Sequence, residues 1–371
     1  MMNFDFYEPV HIVFGAGKVN SIGDYAKKYG TKALIVTGRS SAKKSGLYDR
    51  VKNALVAEGI SSVLFDEVRQ NPLTTTAQKG ADLAKEQGCD MVIALGGGSI
   101  MDCAKSIAFL AVNEGDINDY IFGRKVSDEA LPMILVPTTC GTGSEGNGFA
   151  VLTNPDTGDK KSLRTSAIIA KVSIVDPQCM MTMPKRVLAS VGFDALCHCM
   201  EAYTAKNAQP FTDALSLMGI RYIKESLVPL YEGCKDEDLW DKMTLAATIG
   251  GMVIGQAGVT LAHGMEHPAS GLKDIVHGQG LACLTPVVIE ATMCPKYDDI
   301  AKIFGTNDLV QAIKDLIAQL ELPSKLSDLG LEEKDIEWMS ENCMKVSAGN
   351  LVNTPVKVDI DLVRSLYQKA M

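Results

Sequence analysis

Four of the chain's five histidines fall between residues 198 and 277, at spacings a metal ion could use. Asp194 and His198 stand four apart, as do His263 and His267, and His277 follows. On a helix, residues i and i+4 share a face with Cβ atoms about 6 Å apart, so each pair can aim two side chains at one ion. Asp194, His198, His263 and His277 then make a ligand set of one carboxylate and three imidazoles, with His267 close by. No thiolate is included, which argues against a structural zinc cage. Such a set suits Fe2+, with Zn2+, Mn2+, Co2+ or Ni2+ as other occupants. Any one pair has a plainer use as a helix cap or a core histidine; four residues converging do not.

A second group of residues suits a nucleotide. The apolar run Met91–Leu95 ends in Gly96-Gly97-Gly98-Ser99, and a helical pattern follows at once. Glycines there let the backbone approach a phosphate, and the helix N-terminus offers free N–H groups. A second loop, Pro137–Glu145, follows another such run and is dense in threonine and glycine. Ligands of open α/β sheets bind at this carboxyl edge of the strands. After the first obvious strand comes Gly38-Arg39-Ser40, with Lys43 and Lys44 nearby. NAD selectivity usually needs a carboxylate at this point. Gly38 leaves room, and Arg39 and Ser40 suit a 2′-phosphate, so NADP(H) is expected over NAD(H). A metal beside a nicotinamide implies alcohol–aldehyde interconversion by hydride transfer. His267, one turn beyond His263, is the candidate catalytic proton relay, with a structural role as its alternative.

Two kinds of segment must position these groups. Continuously apolar runs at Lys32–Thr37, Ser62–Phe65, Met91–Leu95, Met133–Val136 and Val172–Val175 suit a parallel sheet covered on both faces. Helical patterns at Tyr48–Glu58, Thr75–Gln87 and Ile100–Ala111 lie between them, a βαβ rhythm. Beyond about Asp176 the patterns are helical: Asp194–Ala205, Thr212–Leu230, Glu237–Ala262, Leu309–Gln319 and Glu332–Cys343. The expectation is an α/β dinucleotide-binding domain over 1–180 and an all-helical metal-binding domain over 181–371.

Composition narrows the partners. The net charge is −9, from 36 basic and 45 acidic residues in 371. That argues against nucleic acid or an anionic membrane as a general partner. The start of the chain lacks a signal-peptide pattern, and the ten cysteines show no CxxC pair, so a reducing cytoplasm is expected. Cys197 and Cys199 point away from the His198 face and read as core. Leu245–Ala262 is uncharged and just long enough to span a membrane. Its four glycines and its run into His263 favour a buried helix delivering a ligand.

Taken in order, GGGSIMDCAK (96–105), PTTCGTGSE (137–145), GFDALCHCMEAY (192–203), GVTLAHGMEHPASG (258–271) and HGQG (277–280) resemble the iron-dependent, group III alcohol dehydrogenases. The resemblance runs over nearly the whole chain and implies a dehydroquinate-synthase-like fold, an N-terminal α/β domain and a C-terminal helical one with the site between. It implies Asp194, His198, His263 and His277 as metal ligands. It places a cofactor pyrophosphate on Gly97, Gly98 and Ser99 near Asp102, with Thr138, Thr139 and Thr142 lining the cofactor and Lys160 near its ribose. It also implies a homodimer with N-terminal strands paired across the interface. Where many NAD-using members carry aspartate this chain has Gly38, in agreement with NADP. The expected activity is NADP(H)-linked interconversion of a small primary alcohol, diol or aldehyde of the butanol type. A zinc-dependent, NAD-linked polyol dehydrogenase of the glycerol type is the alternative.

Overall fold

The computed structural model describes residues 3–371. Its first half is a six-stranded sheet with every pairing parallel. The strands are β1 (His11–Phe14), β2 (Lys32–Gly38), β3 (Ser61–Val68), β4 (Met91–Gly96), β5 (Met133–Pro137) and β8 (Val172–Val175). Their spatial order is β1-β8-β5-β4-β2-β3. β4 and β5 are buried along their whole length because helices cover both faces. β3 lies at an edge and is partly exposed. Chain order reverses between β2 and β4, the crevice where doubly wound sheets hold ligands. Gly38 and Gly96 end those two strands on its rim.

Two features of this half differ from the sequence reading. β1 adds a strand on β8, although its four residues are too few to show a period. The second is an antiparallel hairpin of β6 (Phe149–Thr153) and β7 (Lys160–Arg164). Its charged β7 hid it, yet Asn154–Asp159 is a turn sequence rich in Pro, Asp and Gly.

From Lys185 onward the chain is helical. The helix expected from Asp194 begins earlier, at Lys185, and runs to Thr204. The helix expected over Glu237–Ala262 ends at Ala257, and a new one, Leu261–Lys273, leaves at 104°. Gly258 makes the break with φ +75°, a left-handed conformation costly for other residues. No single helix among the described residues is long and apolar enough to cross a membrane. Cys197 and Cys199 are buried in the helical core.

Candidate metal and cofactor site

Three helix segments bring the histidines together. Lys185–Thr204 carries Asp194 and His198 one turn apart. Leu261–Lys273 carries His263 and His267. His277 is the first residue of helix His277–Ala291. The bend at Gly258 aims His263 at the first helix, so this break is what assembles the site.

Asp194 Oδ1 is the hub. It lies 3.5 Å from His198 Nε2, 3.4 Å from His263 Nε2 and 3.6 Å from His277 Nε2. Two donor atoms each about 2.1 Å from one ion, at a tetrahedral angle, are about 3.4 Å apart. Asp194, His263 and His277 offer donor atoms within 4.8 Å of one another. Asp194 Oδ1 and His263 Nε2 are buried and lack a hydrogen-bond partner. Each such orphan costs about 1–3 kcal/mol, so their facing one another indicates a group between them. Asp194, His263 and His277 fit a divalent ion, and His198, outside that group of three, stands with Nε2 3.5 Å from Asp194 Oδ1.

Two further carboxylates escaped the sequence reading. Glu201 Oε1 lies 2.6 Å from His263 Nδ1, and Glu266 is hydrogen-bonded to His277 Nδ1. Each fixes a tautomer that leaves Nε2 free to ligate. Glu201 also caps the helix carrying His263, accepting from Thr260 N at 2.7 Å and Thr260 Oγ1 at 2.9 Å. The missed signal is that Glu201 follows His198, and Glu266 follows His263, by three positions.

The electrostatics are those of a cation site. Burial opposes charge on Asp194, but His198, His277 and His263 hold its carboxyl well below the usual range. Burial dominates at His198 and pushes it down to about 4. At His263 burial is outweighed by Glu201 and Asp194, which push it up to about 10. Asp194, Glu201 and Glu266 thus place buried negative charge around the imidazoles.

The histidines share one cleft with the nucleotide loops. Gly98, Ser99, Asp102, Thr142 and Lys160 line it together with His198, His263, His267 and His277. Helix Gly98–Leu110 starts with no side-chain cap, so its first amides remain available to an anion. A Cβ on Gly98 would lie 2.3 Å from Thr142 Cγ2 and one on Gly97 would lie 2.7 Å from Thr139 Oγ1. Part of the glycines' purpose is therefore to seat the threonine loop, whose Thr138 N–H donates to Gly96 O at 3.1 Å.

Asp102 borders the cleft, but Oδ1 accepts from Ser144 Oγ at 2.6 Å and Oδ2 from Val151 N at 2.9 Å, so it orders the loop. Lys160 is buried with Nζ 3.6 Å from Glu266 Oε2. His267 is buried in the cleft wall, its ring 5.9 Å from that of His277. Burial and the Lys160 charge push its pKa far down, so it is neutral. Gly38, Arg39 and Ser40 lie on the β2 rim outside the cleft lining, with Arg39 and Ser40 exposed. Lys43 is bound to Asp66 at 2.5 Å, which offsets the positive charge expected there.

The chain matches two halves of one family description. Residues 9–177 match "Iron-containing alcohol dehydrogenase" and residues 188–371 match the C-terminal part of the "Fe-containing alcohol dehydrogenase family". It is 35% identical to alcohol dehydrogenase 4 of Saccharomyces cerevisiae (strain ATCC 204508 / S288c), covering 98% of each chain. It is 33% identical to 1,3-propanediol dehydrogenase of Citrobacter freundii, over 99% of this chain and 98% of that one. Among solved structures, the NADH-dependent butanol dehydrogenase A of Thermotoga maritima superposes with TM-score 0.91 at 32% identity, over 100% and 99% of the two chains.

Proposed function

The chain belongs to the iron-containing alcohol dehydrogenase family, and from that premise we propose an iron-dependent dehydrogenase linking NADP(H) to a small primary alcohol, diol or aldehyde of the butanol type. The observation that carries the reading is the single cleft shared by the Gly98–Ser99 turn and the histidine set. The net reaction is a two-electron exchange: aldehyde, NADPH and a proton give alcohol and NADP+.

Asp194, His198, His263 and His277 would hold the ion, which when bound supplies Lewis acidity to the alcohol or carbonyl oxygen. Glu201 and Glu266 keep His263 and His277 in the ligating tautomer. Gly97, Gly98 and Ser99, with Thr138, Thr139 and Thr142, would seat the pyrophosphate and its ribose, Asp102 ordering the loop and Lys160 standing beside them. His267, neutral in the wall, would carry the proton between cleft and solvent through an imidazole nitrogen. Gly38 leaves space for a 2′-phosphate, with Arg39 and Ser40 as its ligands. Residues up to about 180 would form the dinucleotide-binding domain. The exposed Phe4, Tyr7 and Phe211 side chains support a homodimer.

The zinc-dependent polyol reading is not favoured by the family match. The test is the initial rate of butanal reduction by metal-stripped protein, run anaerobically with NADPH and with NADH, before and after Fe2+ is added. Activity that appears with iron and is higher with NADPH supports the reading. Equal inactivity before and after iron, with glycerol oxidised on adding Zn2+, would replace it.

A further inference from the structure

Resting on that dehydrogenase reading, we propose that the substrate carries a carboxylate at the end remote from its reacting carbon, and that Arg164 binds it. Strand alternation puts Lys160, Ser162 and Arg164 on one face of β7, and all three line the cleft. Lys160 is already matched by Glu266. Arg164 is not matched. Among the described residues it makes no ion pair, and its one hydrogen bond is from Nη2 to Asn350 Oδ1 at 3.4 Å. Its guanidinium lies over the Phe149 ring, 4.6 Å from the centroid. Stacking and one weak hydrogen bond hold the planar fork in place and leave most of its five N–H donors free.

No acid in the surroundings satisfies that fork. Asp102, the carboxylate in the lining beside the nucleotide loop, has both oxygens engaged by Ser144 and Val151. Glu8 lines the adjoining cavity that Arg164 also borders, without an ion pair between them. The same lining includes the apolar side chains of Phe149, Ile254 and Val259. A ligand fitted to such a cleft has an oxygen at the histidines, an apolar part and an anion at Arg164. A planar carboxylate meets a guanidinium with two parallel hydrogen bonds, the strongest pairing open to it. In a chain of net charge −9, an exposed arginine that lines the cleft without an ion pair is a local recognition element.

The experiment compares 4-oxobutanoate with butanal, four-carbon aldehydes that differ in the terminal carboxylate, on iron-loaded full-length protein. The ratio of kcat/KM values on one preparation is independent of how much of it is folded. The wild type is expected to favour 4-oxobutanoate by roughly tenfold or more. Arg164→Leu should collapse that ratio toward one through KM, and Arg164→Lys should recover part of it. Turnover of butanal with a ratio at or below one, or a ratio unmoved in Arg164→Leu, overturns the proposal and leaves the dehydrogenase reading standing. Turnover of neither aldehyde sinks the dehydrogenase reading. The arginine site is then decided by calorimetric binding of 4-hydroxybutanoate, which Arg164→Leu must weaken by about tenfold.

Discussion

The carboxylate of Glu201 lies 2.6 Å from Nδ1 of His263, across a separation of 62 residues. The same carboxylate takes both the N–H and the hydroxyl of Thr260. One side chain thus starts a helix and sets the tautomer of a histidine on it. Carboxylates in this position typically account for 10–100-fold in metal affinity. Glu201→Gln should therefore weaken Fe2+ binding by roughly tenfold or more, read by competition with a chelator, and should lower the melting temperature by loosening the Leu261 helix start. Undiminished iron affinity would show that His263 needs no such partner.

Gly38 ends β2 on the rim where the nucleotide loops meet. A Cβ there would touch only Ile100 Cδ1 and Val68 O, each at 3.5 Å, an ordinary contact. Aspartate can thus be introduced without displacing the backbone. Gly38→Asp should lower the NADPH-to-NADH ratio of kcat/KM by roughly tenfold or more, because the new carboxylate repels a 2′-phosphate and accepts from a 2′-hydroxyl. An unchanged ratio would place the adenosine ribose away from Gly38.

Lys105 is fully buried, and its ammonium donates to Ser144 O at 2.5 Å, Phe149 O at 2.8 Å and Asn147 O at 2.9 Å. Burial pulls its pKa down to about 8 against the pull of Asp102 and Glu145. The lysine ties the 144–149 loop, one wall of the cleft, to the nucleotide-binding helix. Lys105→Met fills the space and strands three carbonyls, each at a cost of about 1–3 kcal/mol. The variant should melt several degrees lower and show a raised cofactor KM. A melting curve superimposable on wild type would mean that the carbonyls find other donors.

The pairing of Asp194 with His198 was legible because a helix repeats its face every four residues, and that spacing carries the period without long-range information. The sheet was legible for a similar reason, since runs such as Met91–Leu95 are covered on both sides and carry apolar residues throughout. What stayed hidden depends on pairing across the chain. Whether Glu201 meets His263 depends on the bend at Gly258, and a continuous apolar stretch gives no sign of that bend. β7 is charged because its side chains line a cleft instead of a core, so it lacked the strand pattern. The free guanidinium of Arg164 is a statement about absent neighbours, which spacing in one chain does not contain.

Glu8 gives the protein a pH-dependent element outside the metal cluster. Its carboxyl is pushed up to about 7 by burial, against the lowering effect of Gln256, the Val10 backbone and Lys105. Between its ordinary value of 4.5 and about 7, the folded protein keeps a proton that the unfolded chain has released. Stability from this group is then complete below pH 4.5 and is lost as pH rises toward 7. Glu8 is partly open to solvent, which screens the effect. Glu8→Gln removes the ionisation and keeps a hydrogen-bonding side chain beside Gln256. The variant should match wild type near pH 4.5 and melt higher above neutrality, by on the order of 2 °C. Melting curves across that range decide the matter, because a constant offset at every pH would assign the difference to packing and not to the proton.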